Sequence, residues 1–154
     1  PSMSIIKNNP KWAEKLIGLS DVVSLNLEEA KAITNHEGIM KIIKKFKNVG
    51  VEIISITNGS NGSVISDGKR VIHNSVYKTE VKDTTGAGDA FMSGLILAEM
   101  RDKSLEKMAQ YGSAMAALES TKMGVREGLP KSFKELESYI TNNSLEQVKS
   151  SIGN

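Results

Sequence analysis

Residues 21–25, DVVSL, form a short β-branched run between polar residues, and the helix-forming stretch NLEEAKAIT follows with Asn26 at the cap position. That order predicts a strand, a cap and a helix. Over residues 38–49 the apolar side chains Ile39, Met40, Ile42, Ile43, Phe46 and Val49 recur at helical spacing with lysines between them. This is the pattern of an amphipathic helix, stopped at Gly50. Residues 51–57, VEIISIT, lie between two glycines and suit a covered strand better than a helix. Strand, helix and strand in alternation predict a parallel pair. Beyond them, the β-branched runs SVIS and VIHN flank Asp67-Gly68, the signature of a β-hairpin with a two-residue turn. Helices are expected over 89–100, over 105 to about 123, and, after Pro130, over 132 to about 140, with a frayed polar tail from 142 onward. No repeat or linker divides the chain, so residues 1–154 read as a single domain portion.

Composition narrows the function classes. The formal net charge is +2, and the basic residues are spread along the chain, which gives no reason to expect nucleic acid or an acidic membrane surface as partner. No apolar run approaches the roughly 18 residues of a membrane helix. There is no cysteine, and His36 and His73 are too few and too far apart for a zinc site. A reducing, cytoplasmic setting is the matching expectation. The chain begins at Pro1, without the basic start and apolar core of a signal peptide, which suggests that a preceding part is missing. The Asn-x-Ser triplets at Asn58, Asn61 and Asn142 read as turn or loop chemistry.

Two phosphate-loop readings fail. The stretch from Gly62 to Lys69 has five residues between its glycines where a P-loop has four, and Arg70 stands where Ser or Thr would hold magnesium. Gly86-Ala87-Gly88 opens like a dinucleotide fingerprint, but Phe91 occupies the third small-residue position. What remains is DTTGAGDAFMSG, a glycine turn leading into a helix. Its converging N–H groups and the positive end of the helix dipole form an anion hole. The plainer alternative is a turn in which Asp89 merely caps the helix.

The run Asp83-Thr84-Thr85-Gly86-Ala87-Gly88-Asp89, with an apolar helix bearing Gly94 behind it, resembles the C-terminal signature of the ribokinase family, the PfkB-type carbohydrate kinases. Two more stretches fall in the family's order. Asn26-Leu27-Glu28-Glu29 matches its Asn-x-x-Glu motif, and Thr57-Asn58-Gly59-Ser60-Asn61-Gly62 resembles its Thr-x-Gly-x-x-Gly loop. The resemblance runs from about residue 1 to about residue 140 and corresponds to roughly the C-terminal half of a member. It implies an α/β fold, the ribokinase-like three-layer α/β/α arrangement, with a mainly parallel sheet and a β-hairpin.

The resemblance also implies roles. Asp89 would face the acceptor hydroxyl and take its proton, and the backbone of Gly86, Ala87 and Gly88 would receive charge on the transferred phosphoryl group. Thr57, Gly59 and Gly62 would lie along ATP, with Ser113 near its base. Asn26 and Glu29 would join a Mg2+ and phosphate network through water, their plainer reading being a helix cap and a solvated acid. Asp83 and Thr85, with carbonyls from the loop near Gly124, match positions where the family often holds a monovalent cation such as K+. The implied partner is a small sugar or nucleoside, and the full-length protein has the option of a homodimer. As presented, the chain would be the nucleotide-binding half and inactive alone. Two other classes stay open: a non-catalytic nucleotide-binding or regulatory module, and a retained fold serving another small ligand without phosphoryl transfer.

Overall fold

The structure is a computed structural model that describes residues 8–124 and 126–145, so the chain's opening and the tail expected to fray beyond 145 lie outside the described residues. The elements are α1 (Pro10–Ile17), β1 (Val22–Asn26), α2 (Leu27–Thr34), α3 (Ile39–Asn48), β2 (Ile53–Thr57), a 3-10 turn (Gly59–Asn61), β3 (Ser63–Ser66), β4 (Val71–Asn74), α4 (Ala87–Glu99), α5 (Leu105–Glu119) and α6 (Phe133–Asn142). The strands stand in the order β1-β2-β3-β4. β1 and β2 run parallel, with Val22 beside Ile53, and α2 and α3 make the crossover between them. β2–β3 and β3–β4 are antiparallel, so among the described residues the sheet is mixed, with one parallel and two antiparallel pairings where a mainly parallel sheet with a hairpin was expected, because β3 turns straight back on β2 without a crossover helix.

Alternation along these strands sorts the core into two layers. Val23, Leu25, Ile54, Ile56 and Val64 pack with Ala13, Ala30, Ile42, Ile43 and Phe46 from α1, α2 and α3. Ile65, with the partly buried Ile53 and Ile72, packs instead with Phe91, Leu95, Met108, Tyr111 and Leu136 from α4, α5 and α6. The expected three-layer α/β/α arrangement follows, helices covering both faces of one sheet. Fully buried side chains such as Phe46 and Leu95 contribute about 1.5–3 kcal/mol each to that assembly.

Local departures from the expected elements have local causes. α1 was not among the expected elements, although Trp12, Ala13, Leu16 and Ile17 fall at helical spacing on one side of it; Ala13 and Ile17 are buried at the centre of the contact while Trp12 and Leu16 stay exposed at its edge. The hairpin turn spans Asp67 to Arg70, longer than the two-residue turn expected, since Ser66 pairs with Val71. Asp67 Oδ1 accepts the N–H groups of Lys69 and Arg70 at 2.9 and 2.7 Å, replacing a tight turn with a side-chain clasp. Those backbone hydrogen bonds, with help from the Arg70 side chain, hold the Asp67 carboxyl down at about 2. α5 stops at Glu119 rather than near Met123, where the hydroxyls of Ser120 and Thr121 turn back onto the carbonyls of Ala116 and Leu118.

The contact that positions the later site is the crossing of α4 over α5. A Cβ on Gly94 would stand 2.5 Å from the Tyr111 carbonyl oxygen, and one on Gly112 would stand 2.9 Å from Cζ of Phe91. Neither space can open without moving backbone or a packed aromatic ring. Gly94→Ala is therefore expected to destabilise the chain by about 1–3 kcal/mol, although alanine favours helix, as read from a lowered denaturation midpoint at unchanged m-value.

Candidate functional site

The glycine turn forms the start of α4. Gly86 is the N-cap residue at φ 88°, a left-handed conformation that glycine adopts without steric cost, and it offers no side chain to the helix end. Its carbonyl accepts the Ala90 N–H at 2.9 Å, so α4 begins at Ala87, two residues before the start expected near Asp89. Asp89 consequently sits in the first turn, exposed and without a capping hydrogen bond, and the plainer reading of it as the cap residue is not what the chain does. The Ala87 N–H donates to the Thr84 carbonyl at 3.2 Å. Among the described residues the N–H groups of Gly86, Gly88 and Asp89 have no acceptor. Free donors at the positive end of a helix dipole suit an anion.

Of these three, Gly88 lines a cavity of about 680 Å³. Asn26 and Thr57, the last residues of the parallel strands β1 and β2, form one wall, and Gly59 and Gly62 of the turn after β2 continue it. Ala87, Gly88 and Phe91 of α4 stand opposite, and Ser113, Ala116, Ala117 and Ser120 contribute the α5 side. Ligands of open α/β sheets lie at the carboxyl ends of the strands in this way. Of the residues picked from sequence, the cavity wall thus unites Asn26, Thr57, Gly59, Gly62, Ala87, Gly88 and Ser113. Glu29, Asp83, Thr85, Gly86 and Asp89 fall outside that wall, with Gly86 and Asp89 adjoining it in sequence. A shallower depression of about 560 Å³ between Leu118 and α6 gathers none of them.

Several of these residues also hold structure. Asn26 Oδ1 accepts the Glu29 N–H at 2.8 Å and Glu29 Oε2 accepts the Asn26 N–H at 3.0 Å, a reciprocal capping box at the start of α2. A Cβ on Gly62 would meet the Asn74 carbonyl oxygen at 2.2 Å, so the turn after β2 is pressed against the end of β4. Ser113 Oγ accepts from Asn74 Nδ2 at 2.6 Å and donates to the Ser75 carbonyl at 3.2 Å. Asp83 Oδ1 and Oδ2 accept the N–H groups of Thr85 and Gly124 at 2.9 and 3.2 Å, tying the glycine turn to the loop after α5. The Thr85 hydrogen bonds, then that of Gly124, lower the Asp83 pKa.

Glu119 is the residue that sequence reasoning missed. It has no exposed surface, and neither carboxylate oxygen has a partner among the described residues. Its signal was present: it continues the buried helical stripe of Met108, Tyr111 and Met115, an acid where the period calls for an apolar side chain. Burial first, and then the charge of Asp83, raises its pKa above the ordinary 4.5.

Among the described residues no three His, Asp or Glu side chains gather as a metal cage. What is available instead is the Gly88 N–H on the cavity wall, with the other α4 donors next to it in sequence, and, three residues on from Asn26 and outside the wall, one Glu29 carboxylate oxygen with no hydrogen bond among the described residues. Such a set fits a Mg2+ that arrives on phosphate oxygens and keeps its waters, and does not fit a metal held by protein alone. At Gly88, which lines the cavity, the space a Cβ would fill is empty to 4 Å, room for close approach of a ligand to the backbone.

Comparison with known proteins places the chain in a family. The model of the pfkB family carbohydrate kinases matches residues 6–132, and the chain belongs to that family. It is 30% identical over 120 residues to the ATP-dependent 6-phosphofructokinase of Thermoanaerobacterium thermosaccharolyticum, covering 78% of this chain and 37% of that protein. It is 33% identical over 132 residues to an uncharacterized sugar kinase of Archaeoglobus fulgidus, covering 86% of this chain and 52% of that one. With the ribokinase of Haemophilus influenzae it shares 31% identity over 132 residues, 81% of this chain and 42% of the relative. The chain thus spans about half or less of the length of these relatives. Among solved structures, a protein of E. coli in complex with ATP and Mg2+ superposes with TM-score 0.81 at 25% identity, covering 89% of this chain and 44% of that one. The nucleoside kinase of Methanocaldococcus jannaschii shares the fold at TM-score 0.78 and 23% identity, over 92% of this chain and 46% of that one.

The buried acid gives a pH signature. A carboxyl whose folded-state pKa is raised favours folding at low pH, and that contribution fades as pH rises past the ordinary 4.5. Glu119→Gln is expected to raise the thermal midpoint at neutral pH and to have little effect in acid. Thermal unfolding of both proteins across this range measures it, and a lower midpoint for Glu119→Gln at neutral pH would show that the ionised carboxylate is stabilising.

Proposed function

We propose that this chain forms the nucleotide-binding and phosphoryl-transfer part of an ATP-dependent kinase that acts on an alcohol group of a sugar, a nucleoside or a similar small molecule. The observation that carries this reading is the start of α4: Gly88, with an unpartnered N–H, lines a cavity at the ends of two parallel strands, and the unpartnered N–H groups of Gly86 and Asp89 and the exposed Asp89 carboxylate adjoin it in sequence. Family membership, and an ATP and Mg2+ complex in a protein of the same fold, support it.

In this reading the turn after β2, Thr57 to Gly62, lies along the nucleotide. The free N–H groups of Gly86 and Gly88 receive charge that grows on the transferring phosphoryl oxygens, where fixed donors act without reorganising. Asp89 orients the acceptor hydroxyl and takes its proton. An aspartate is a weak base, but phosphoryl transfer passes through a loose transition state in which positioning and charge stabilisation matter most. Mg2+ on the phosphates would neutralise charge there, with the free oxygen of Glu29 reaching it through water. Asp83 and Thr85, with the loop near Gly124, remain the candidate positions for K+. The acceptor-binding residues belong to the length that this chain does not span in its relatives, so the isolated chain is expected to turn over no substrate. The lack of cysteine suits a cytoplasmic setting.

Two substitutions test the assignment in a chain of the relatives' full length that contains this sequence. Asp89→Asn is expected to lower kcat by about a hundredfold to ten-thousandfold while ATP binding stays within about twofold; unchanged turnover would remove Asp89 from the chemistry. Gly88→Ala fills open space within a helix, so stability should hold or rise by up to about 1 kcal/mol, while turnover falls by about a hundredfold. A loss of turnover that tracks a loss of stability would instead make Gly88 a folding residue.

A further inference from the structure

The segment between β4 and the glycine turn brings a cation to the cavity, and the inference drawn from it rests on the nucleotide reading above. The segment is tied to α5 at both ends. The Ser75 carbonyl accepts the Ser113 hydroxyl at 3.2 Å, and the Ser120 carbonyl accepts the N–H groups of Lys82 and Asp83 at 2.8 and 3.3 Å. Between Ser113 and Ser120 a helix rises only about 10 Å, whereas the same number of residues in extended chain reaches about 23 Å. No helical turn between Ser75 and Lys82 takes up the excess. The segment therefore bows away from α5, and it lines the cavity with Val76, Tyr77, Lys78, Thr79 and Val81. Tyr77 anchors it, buried with its ring centroid 5.4 Å from that of Tyr139. Lys78 follows directly, near the middle of the bow, and is exposed.

Among the described residues Lys78 alone brings a formal charge to the cavity wall. Lys82, farther along the segment, lies outside that wall, and the charged groups nearest the α4 start in sequence, Asp83 and Asp89, are both acids. The ammonium of Lys78 is also uncommitted: Lys31, Lys45, Arg70 and Lys103 reach carboxylates, but Lys78 has no ion pair among the described residues. A phosphate chain carries several negative charges into a cavity whose other positive elements are backbone dipoles. A compact ammonium on a flexible four-carbon stem complements such a chain through charge-assisted hydrogen bonds.

We propose that Lys78 reaches across the cavity and binds the phosphate chain of the nucleotide, so that the segment after β4 supplies the one full positive charge of the site. The contact is to the charge of the nucleotide and not to the reacting atoms, which makes Lys78 a binding residue. Its loss should therefore appear in nucleotide affinity, should depend on ionic strength, and should leave the fold untouched, since Lys78 holds no other part of the chain.

Calorimetric titration of Mg2+-ADP into the chain as it stands tests this with Lys78→Met and, as a control for net charge, Lys44→Met on α3, which does not line the cavity. At low salt Lys78→Met is expected to weaken binding by about threefold to thirtyfold while Lys44→Met holds it within about twofold. At about 0.5 M NaCl the loss in Lys78→Met should shrink as charge is screened, and its thermal midpoint should match that of the unaltered chain. A change of less than about threefold at low salt would overturn the inference. So would a loss that persists undiminished at high salt, which assigns it to the stem and not the charge, or an equal loss in Lys44→Met, which assigns it to net charge. A loss accompanied by a lowered thermal midpoint would make Lys78 a folding residue and also end the inference. Each of these leaves the nucleotide site standing. If the unaltered chain does not bind Mg2+-ADP, the nucleotide reading fails first and takes the inference with it.

Discussion

Helices α4 and α5 approach so closely at Gly94 and Gly112 that a single methyl group on either would collide with backbone or with Phe91. This approach fixes where the first turn of α4 sits relative to the Ser113 face of α5, and so sets the width of the cavity between them. The sheet beneath contributes the other coordinate. β1 and β2 are parallel and end together, so Asn26 and Thr57 arrive at the cavity side by side. One helix crossing and one parallel pair therefore place much of the cavity wall, and the segment from Val76 to Val81 after β4 supplies most of the rest.

Within this frame, residues proposed for the site also satisfy local backbone. Asn26 and Glu29 cap α2 through each other, which holds both carboxyl and amide in place before any ligand arrives. Ser113 is locked by Asn74, and Gly62 allows the turn after β2 to press against β4. Shared duty of this kind produces preorganisation, since no side chain must be recruited from a mobile position when charge appears. It also means that truncating one of these residues disturbs fold and site together, whereas Gly88 and Asp89 stand free enough for the two effects to separate.

Around Asp83 and Glu119 the balance is different. Asp83 is held ionised by backbone N–H groups and ties the glycine turn to the loop after α5. Glu119, buried without a partner, is pushed toward its neutral form by the same neighbourhood. Two carboxyls with opposed shifts flank the loop that supports α4, and one of them weakens the fold at the pH where the other strengthens it.

Most of the elements were legible in the residues because they are set by short-range physics. The three-and-four spacing of Ile39 to Phe46 announces α3, the Asn26 cap announces α2, and the β-branched run in VEIISIT announces β2. The glycine turn before an apolar helix likewise pointed to an anion site, since backbone donors at a helix start need no distant partner. Boundaries slipped where a side chain bonded nearby backbone, as Asp67 does in the hairpin turn. What the amino-acid sequence determined by itself was most of the menu of elements and the family motif. Tertiary structure alone decided that Ser113 would bond Asn74 and Ser75, that Glu119 would be buried without a partner among the described residues, and that Asn26 and Thr57 would line one cavity with Gly88. Those outcomes depend on the packing of segments far apart along the chain, and local periodicity carries no information about distance in space.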